Sequence, residues 1–405
     1  MELVQEKFKQ TEIGLIPSDW KILNLGKSST LKARIGWQGL TTAEYLKNGD
    51  FYLITGTDFL EGYIDWDNCV YVEKERFDQD RNIQVKVDDI LVTKDGTIGK
   101  VAFIDKIIKQ TTLNSGVFVV RPTNKAYNSR YLYFILMSEF FKDFLNRLAA
   151  GSTISHLYQK DFVHFNMPLP SLKEQTLIAT ALSNTDTWIT NLENLLIKKH
   201  QIKQGALQEL LKPKQDWEVK KLEDVGEIIT GSTPSTGLSE YWNGSIPWIT
   251  PTDIKTNKNI FKSEREITES GLNVIRKLPK DTLLVTCIAS IGKNTILRKA
   301  GACNQQINAI IPNSSNNVDF LYYLIENSKN YILGKAGITA TLMISKKDFS
   351  QILFSFPNVK EQTRIATILS DMDVEIEQLE TKLEKAKKVK QGMMQELLTG
   401  KTRLV

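Results

Sequence analysis

Two long stretches of the chain place mostly apolar residues at every seventh position, with a second set three residues further along. In the first stretch these positions are Leu182, Ile189, Leu196, Lys203 and Leu210, with Thr185, Leu192, Lys199 and Ala206 between them. In the second they are Leu369, Ile376, Leu383, Lys390 and Leu397, with Met372, Leu379, Ala386 and Met393. This heptad pattern predicts two helices of about 60 Å that pair as a coiled coil. The alternative is a pair of ordinary core helices, and the shared length and register count against it.

The two stretches are also copies of each other. Two pairs of segments match at one constant offset, namely residues 173–180 (KEQTLIAT) with 360–367 (KEQTRIAT), and 203–211 (KQGALQELL) with 390–398 (KQGMMQELL). Shorter echoes link the segments before them, such as LVT and IGK at 91–93 and 98–100 with the same triplets at 284–286 and 291–293. A register shared over both blocks indicates that the chain consists of two related halves.

Each half also contains a globular segment with a mixed α/β pattern, in which short strand-like runs precede an apolar stretch at helical spacing. The first segment has these runs at residues 51–54, 90–93, 101–104 and 116–120, with a helix at 130–148; the second has them at 283–286, 295–297 and 307–311, with a helix at 320–333. We therefore predict an α+β protein in four parts: an N-terminal arm and globular domain (1–170), a central coiled-coil helix (171–212), a second globular domain (213–357) and a C-terminal coiled-coil helix (358–405).

The direction of the two helices follows from the connections. The second globular segment begins where the first helix ends and finishes where the second helix begins. If the helices were parallel, this segment would have to place its own ends about 60 Å apart, although the termini of a domain usually lie close together. We therefore predict antiparallel helices and a pseudo-twofold internal repeat.

Composition permits a nucleic-acid partner without requiring one. The chain has 405 residues, a formal net charge of +5 and 41% hydrophobic residues, as expected for a globular protein of two or three domains. The three cysteines, Cys69, Cys287 and Cys303, are odd in number and lack the spacing of a metal site, which is typical of reduced thiols in an intracellular protein. With no signal peptide and no long apolar run, we expect a cytoplasmic protein.

The sequence lacks the motifs of nucleotide, metal and nucleophilic chemistry. The two Gly-Lys pairs at 99–100 and 292–293 have Lys94 and Cys287 where a P-loop requires its first glycine. The histidines, His156, His164 and His200, have no Cys or carboxylate partners at ligand spacing. No nucleophile–base constellation stands out. We therefore expect a recognition and assembly subunit that is not an enzyme and holds no cofactor or metal.

Several short motifs occur along the chain. In the second half they are residues 231–235 (GSTPS), 241–249 (YWNGSIPWI), 289–293 (ASIGK) and 303–307 (CNQQI), and in the first half they are residues 8–17 (FKQTEIGLIP) with Trp20. Through these motifs the whole chain closely resembles the specificity subunit of type I restriction-modification systems. The first half departs from the pattern: it has RIGWQGL at 34–40 in place of the Thr-Pro loop, and Asn114-Ser115-Gly116 in place of Asn-Gln-Gln.

The resemblance implies a non-catalytic subunit with two target-recognition domains. Each domain would read one half of an interrupted, asymmetric site in double-stranded DNA. The paired helices would set the spacer and hold two methyltransferase subunits, and two motor-nuclease subunits would complete the restriction enzyme. S-adenosylmethionine, ATP and magnesium would then bind to those partners and not to this chain.

Loops rich in polar and basic residues are the candidate DNA contacts, because such side chains bind base edges and phosphates. The candidates are Lys32, Arg34, Gln38, Lys94, Thr97, Lys100, Ser232, Thr233, Ser235, Lys255, Lys293, Gln305 and Gln306. We expect Lys94, Lys100, Lys255 and Lys293 to include phosphate contacts, and Arg34, Thr233 and Gln305 to influence base preference. Each loop has the alternative of being an ordinary polar surface turn. We expect three tryptophans to serve as core or loop anchors and not to stack on bases, namely Trp37, Trp242 and Trp248.

A third apolar row, Trp188, Leu195 and Ile202, falls outside the heptad positions of the first helix. Extra apolar residues on a two-stranded coil suggest a further protein partner, so these three are the candidate methyltransferase contacts. Two other classes of function stay open from the sequence alone: a stand-alone DNA-modifying enzyme with duplicated domains, and a coiled-coil scaffold that never binds DNA.

Overall fold

The computed structural model describes residues 8–149, 156–255, 257–336 and 342–404. Contacts divide the chain into two compact units, one formed by Met1–Leu192 with Leu383–Val405 and the other by Glu193–Lys382. Each unit therefore combines one globular domain with the start of one long helix and the end of the other. The units are described one at a time.

The first unit is built from short strands and helices around a long helix. Its strands are β1 (Phe8–Thr11), β2 (Gly14–Pro17), β3 (Lys21–Asn24), β4 (Ser29–Lys32), β5 (Phe51–Ile54), β6 (Phe59–Leu60), β7 (Tyr63–Ile64), β8 (Val70–Val72), β9 (Ile90–Thr93), β10 (Val101–Phe103), β11 (Gln110–Leu113), β12 (Val117–Pro122) and β13 (Asn166–Leu169). Its helices are α1 (Leu25–Ser28), α2 (Lys74–Asp78), α3 (Ser129–Leu136), α4 (Glu139–Leu148), α5 (Gln159–Phe162) and α6 (Leu172–Leu210), the last of which continues into the second unit.

The main sheet of this unit has the strand order β10-β9-β12-β4, with every neighbour antiparallel. A second sheet has the order β11-β5-β8, in which β5 and β11 run parallel. The apolar runs of β9 and β12 are buried because both faces of the main sheet are covered. One face packs on α3, α4 and the start of α6, and Leu397 and Leu398 near the C-terminus join the same core.

The second unit repeats this plan. Its strands are β14 (Glu218–Lys221), β15 (Gly226–Thr230), β16 (Trp242–Ile249), β17 (Asn259–Ile260), β18 (Glu266–Ile267), β19 (Thr282–Thr286), β20 (Asn294–Leu297), β21 (Ala302–Cys303), β22 (Ile307–Pro312) and β23 (Leu353–Phe356). Its helices are α7 (Leu222–Val225), α8 (Glu269–Asn273), α9 (Val318–Asn327), α10 (Lys329–Leu333), α11 (Lys346–Ser350) and α12 (Val359–Leu397). The main sheet has the order β15-β22-β19-β20-β17, so four strands follow the same path as in the first unit.

Ion pairs show that the long helices run antiparallel, as predicted. In the first unit the Asp186 carboxylate lies 2.5 Å from the Lys390 ammonium. Thirteen residues further along the chain, Arg403 contacts Glu174, which precedes Asp186 on α6, at 2.6 Å. The heptad positions Leu182, Ile189 and Leu192 of this unit are buried, as are Ile365, Leu369 and Ile376 of the second.

The second unit shows the same direction in its own ion pairs. Lys199 contacts Glu375 at 2.5 Å, whereas Lys214, beyond the end of α6, contacts Glu361 near the start of α12 at 3.7 Å. A lysine at a heptad position, Lys203, also pairs with Asp373, as Lys390 pairs with Asp186 in the first unit. A charged residue at such a position favours one register of the helix pair over its neighbours.

The repeated Lys-Glu-Gln-Thr segment joins each long helix to its globular domain. The buried Gln175 side chain accepts a hydrogen bond from the Asn128 N–H and donates one to the Pro170 carbonyl, both at 2.9 Å. Gln362 accepts from the Asn317 N–H in the second unit at the same distance. Each glutamine therefore satisfies backbone groups at the entry to α3 or α9 that would otherwise be buried without partners.

One prediction about the domain helices is wrong in detail. Residues 130–148 form two helices, α3 and α4, because the Ser138 hydroxyl donates to the Ile135 carbonyl at 2.7 Å and accepts from the Phe140 N–H at 3.3 Å. Such a serine ends one helix and begins the next. The predicted helix at 320–333 is likewise divided at Ser328 into α9 and α10.

Candidate nucleic-acid interface

One end of the first domain's main sheet gathers the loops that carry the candidate residues. Because β12 runs antiparallel to β4 and β9, the ends of those two strands meet the start of β12. The segments 33–38, 94–100 and 114–116 therefore lie together. The Lys94 N–H donates to the Gly116 carbonyl at 2.9 Å, which joins two of these loops directly.

The second domain arranges its loops in the same way. The Cys287 N–H donates to the Gln306 carbonyl at 2.9 Å, which corresponds to the bond between Lys94 and Gly116. The Gly231 N–H donates to the Ile307 carbonyl at 3.0 Å, so the loop at 231–235 lies against the turn at 304–306. The two domains thus present equivalent loops on equivalent backbone supports.

The Ile-Gly-Lys triplets have a structural explanation in both domains. The Gly99 N–H donates to the Thr93 carbonyl at 2.9 Å, and the Gly292 N–H donates to the Thr286 carbonyl at 3.0 Å. The two glycines have φ of +79° and +83°, a left-handed conformation that L side chains disfavour. The glycine therefore closes a turn, and this turn fixes the backbone position of the lysine that follows it.

Close packing holds the loop at 231–235 in the second domain. A Cβ on Gly231 would lie 2.1 Å from the Asn304 carbonyl oxygen, so only glycine fits there. The Trp248 indole N–H donates to the Ser232 carbonyl at 2.9 Å, and the Trp242 indole N–H donates to the Ser235 carbonyl at 3.1 Å. The prediction that tryptophans anchor loops is confirmed for Trp242 and Trp248, whereas the side chain of Trp37 lies outside the described part of the structure.

Two arginines that the sequence analysis did not select support this loop. The Arg265 guanidinium stacks on the Trp242 ring, 3.8 Å from its centroid, and so braces one of the anchoring indoles. The Arg276 backbone N–H donates to the Ser232 hydroxyl at 3.0 Å, and its guanidinium donates to the Thr230 carbonyl at 2.6 Å. No local sequence pattern revealed these arginines, because they lie far from the loop along the chain.

The structure brings several of the predicted second-domain residues together. The Thr233 hydroxyl donates to the Gln305 Oε1 at 2.7 Å, and both side chains are exposed. Ser235 is exposed on the same loop, whereas Ser232 is half-buried. The Gln306 Oε1 accepts from the buried Asn304 amide at 3.0 Å, so Gln306 belongs partly to the turn itself.

Two predicted lysines of the second domain are exposed at neighbouring turns. Lys293 follows the Gly292 turn, and Lys255 follows a turn closed by Asp253, whose carboxylate accepts from the Thr250 N–H at 2.8 Å. The candidacy of both lysines rests on their exposure and on the loops that carry them.

The predicted first-domain residues differ in exposure. Lys32 and Thr97 are exposed, and Lys100 is half-buried. Lys94 is also half-buried, with its ammonium 5.4 Å from the centroid of the Phe118 ring. These four residues lie at the loop end of the sheet, where the Phe118 ring partly covers the Lys94 ammonium.

Two first-domain candidates, Arg34 and Gln38, do not face solvent. Arg34 is only 2% exposed, and its guanidinium donates to the Leu113 carbonyl at 2.9 Å, the Gln79 side chain at 2.9 Å and the Thr112 hydroxyl at 3.2 Å. Gln38 is 7% exposed. The prediction that Arg34 influences base preference by direct contact is therefore wrong for this conformation. The Arg34 guanidinium instead holds its loop against β11 through these hydrogen bonds.

The candidate partner row on α6 is exposed to solvent. Trp188, Leu195 and Ile202 expose 40%, 39% and 46% of their surfaces. The apolar heptad residues beside them are more buried, so the row is separate from the seam of the helix pair. Three large apolar side chains at one spacing on an outer helix face suggest a surface that another protein covers.

The groups considered for chemistry have structural partners. Burial raises the pKa of Cys69 and Cys303 to about 12 and that of Cys287 to about 11, so these thiols stay protonated. The His156 Nδ1 lies in contact with the Asp95 carboxylate. In the described ranges, no group of three or more His, Cys, Asp or Glu side chains could hold a metal ion. None of the helices described combines the length and apolar character that a membrane span requires.

A family model for the type I restriction modification DNA specificity domain matches the chain twice, at residues 17–204 and 214–388. The specificity subunit of the type I restriction enzyme MjaIX from Methanocaldococcus jannaschii is 37% identical over 169 residues, which cover 40% of this chain and 39% of that subunit. The MjaVIII specificity subunit of the same organism is 25% identical over 433 residues, which cover 99% of this chain and 97% of that subunit.

The fold is similar to that of a solved S subunit of a type I restriction-modification system from M. genitalium. The TM-score is 0.60 at 16% sequence identity, and the superposition covers 97% of this chain and 98% of the other. At this identity the likeness concerns the fold alone. The likeness extends over both globular domains and both long helices, and it does not extend to the identity of the loop side chains.

Proposed function

The chain belongs to the type I restriction modification DNA specificity family, and on that basis we propose that it selects the DNA sequence on which a type I restriction-modification enzyme acts. Each globular domain reads one half of a bipartite, asymmetric site, and the helix pair sets the spacer. The observation that carries this proposal is the repetition of one loop scaffold in both domains with different side chains on it. A duplicated reader with divergent loops fits a site of two unlike halves.

The loops offer both kinds of contact that sequence-specific binding requires. Exposed lysines such as Lys255 and Lys293 can neutralise phosphates, which adds affinity for any sequence. Exposed hydroxyl and amide groups such as those of Thr233 and Gln305 can bind base edges, which adds preference. The backbone hydrogen bonds behind them fix the loops before binding, which lowers the entropy cost of ordering them.

In this proposal the chain works as part of an assembly with methyltransferase and motor-nuclease subunits, two of each. The exposed row of Trp188, Leu195 and Ile202 on α6 is the surface proposed for the methyltransferase. The catalytic groups, with S-adenosylmethionine, ATP and magnesium, belong to the partners. This chain contributes the choice of sequence.

Methylation mapping tests the function. DNA from cells that carry this chain with its methyltransferase partner should be methylated within one bipartite motif of two different half-sites and a fixed spacer. Cells without this chain should lack that methylation. The purified chain with S-adenosylmethionine alone should leave DNA unmodified. Modification by the chain alone would favour a stand-alone enzyme, and an absence of salt-dependent DNA binding by the assembled complex would favour a scaffold.

Substitutions on α6 test the docking surface. Leu195→Glu with Ile202→Glu should abolish co-purification with the methyltransferase, because two charges cannot be buried in an apolar contact. Asn194→Glu adds a charge at an exposed neighbouring position and is the matched control, for which assembly should be unchanged. Circular dichroism should show the same helix content in all three proteins. Normal assembly of the Leu195 and Ile202 variant would contradict this assignment.

A further inference from the structure

Hydrogen bonds within the second domain hold several backbone groups of the loop at 231–235. The Ser232 N–H donates to the Cys303 carbonyl at 2.8 Å, and the Ser232 and Ser235 carbonyls accept from the two anchoring indoles. The Ser232 hydroxyl accepts from the Arg276 N–H at 3.0 Å. The exposed side chains on the loop and the adjoining turn include those of Thr233 and Gln305.

Thr233 fixes the orientation of the Gln305 amide. Because the threonine hydroxyl donates to Oε1 at 2.7 Å, the oxygen side of the amide is identified and Nε2 lies on the other side. Oε1 retains one lone pair, and Nε2 has no hydrogen-bond partner among the described residues. The amide therefore presents one acceptor and one donor in a set order.

The first domain has no such pair at the equivalent turn. Asn114 corresponds to Asn304, since their N–H groups donate at 2.9 Å to Ile54 and Ile249, the last residues of equivalent strands. The residue that follows Asn114 is Ser115, whose hydroxyl donates to the Asn114 Oδ1 at 2.9 Å. At this turn, among the residues that the structure describes, an exposed amide held by a threonine is found in the second domain and not in the first.

We propose that the Thr233–Gln305 pair reads one adenine of the second domain's half-site in the major groove. Adenine presents the N7 acceptor beside the N6 donor there, and a glutamine amide matches both with Nε2 and Oε1. The threonine contributes by holding the amide in the matching orientation. This assignment rests on the proposed function and goes beyond it by naming the base and the residues that recognise it.

The adjacent Arg276 has a different expected role. Its guanidinium is tethered to the Thr230 carbonyl at 2.6 Å, and the side chain is exposed, so a fixed positive charge lies beside the reading pair. A cation tethered to the loop backbone suits a phosphate, which carries no sequence information. Arg276 therefore serves as an internal comparison for the base-reading pair.

The test uses the complex of this chain with its methyltransferase and duplexes in which each position of the mapped second half-site is varied in turn. Gln305→Ala should reduce discrimination at one position only, where the preferred base is adenine, by roughly tenfold to a hundredfold. Thr233→Val should reduce discrimination at the same position by less. Gln305→Glu should shift the preference there towards cytosine, because a carboxylate accepts from the cytosine N4 amino group.

Two variants serve as controls on the same complex. Arg276→Ala should weaken binding to all duplexes alike, and Ser115→Ala in the first domain should leave the second half-site unchanged. A Gln305→Ala variant that binds all duplexes equally weakly, or that loses discrimination at a position other than adenine, would overturn the proposal while the proposed function stands. A wild-type complex without any preferred motif would instead overturn the proposed function.

Discussion

The two globular domains share a loop scaffold and use it in opposite ways. In the first domain Arg34 turns inward and closes its loop against the Leu113 carbonyl, at 2.9 Å. In the second domain Thr233 and Gln305 on the corresponding loops face outward. The hydrogen bonds that place the loops are equivalent, as in the Lys94 and Cys287 N–H groups. Backbone bonds therefore fix where a loop lies, and the side chains decide what it can read.

A second difference lies where each long helix meets its domain. In the first unit the Glu174 carboxylate accepts from the Trp20 indole at 3.3 Å and from Arg403 at 2.6 Å, and Arg403 also contacts Asp19. In the second unit Glu361 is less buried and pairs with Arg364, while the Trp217 indole N–H has no partner among the described residues. Lys214, beyond the end of α6, also approaches Glu361, but at 3.7 Å its contact is longer and more exposed than the contact of Arg403 with Glu174.

Exchange of a whole domain should produce the largest effect. Replacement of residues 217–357 by the equivalent segment of a relative should replace the second half-site completely, because all the outward-facing loops of that domain change. The first half-site and the spacer should stay the same, since the other domain and both long helices are retained. Methylation mapping measures all three, and a change in both half-sites would contradict the modular reading.

Removal of the Arg403 charge should lower the stability of the first unit and leave that of the second unit unchanged. Arg403→Ala leaves Glu174, whose side chain is 3% exposed, as a buried charge without its cation, which costs about 3–5 kcal/mol. Urea unfolding should then show an early transition assigned to the first unit. Arg364→Ala, which removes an exposed cation from Glu361, is the matched control and should leave the unfolding curve unchanged. If the two substitutions lowered the free energy of unfolding equally, the contacts of Glu174 and Glu361 would not differ in strength between the units.

Substitution of Arg34 should affect stability and not base preference. Arg34→Ala leaves buried acceptors, including the Leu113 carbonyl, without a donor, and we expect a loss of about 1–3 kcal/mol in the free energy of unfolding. The base preference at the first half-site should persist in the folded fraction. Lys32→Ala, at an exposed position two residues earlier, should have no effect on unfolding. A change of preferred base with Arg34→Ala would restore Arg34 as a reading residue.

Single lysines should give the smallest effect. Lys293→Ala should weaken binding of the complex to every sequence and reduce the slope of log affinity against log salt by about one unit. Lys94→Ala should have less influence, because the Lys94 ammonium is half-buried over Phe118. Lys388→Ala on α12, where the lysine pairs with Glu384, removes the same charge away from the loops. As the control, it should leave the salt slope unchanged. An unchanged slope for Lys293 would show that its loop does not face DNA.

The sequence was sufficient for the features that depend on short-range periodicity. Heptad spacing predicted both long helices, and the argument from domain termini predicted that they are antiparallel. Seven-residue spacing is a property of one helix, so it needs no knowledge of the rest of the chain. The strands at 51–54 and 90–93 also form where predicted. The break between α3 and α4 at Ser138 was not predicted, because a single serine that ends one helix and begins the next leaves the apolar pattern intact.

The candidate site was predictable only as a set of loops. The tryptophan anchors could be recognised from residue type, because a largely buried indole needs an acceptor for its N–H. The inward orientation of the Arg34 side chain could not be predicted, because it depends on acceptors at Leu113 and Gln79, which lie far away along the chain. The places of Arg276 beside Ser232 and of Arg403 beside Glu174 were likewise decided by the tertiary structure alone. Sequence determined the scaffold because helices and strands are built from near neighbours, whereas the tertiary contacts decided which polar groups are used inside the protein and which are left to face a partner.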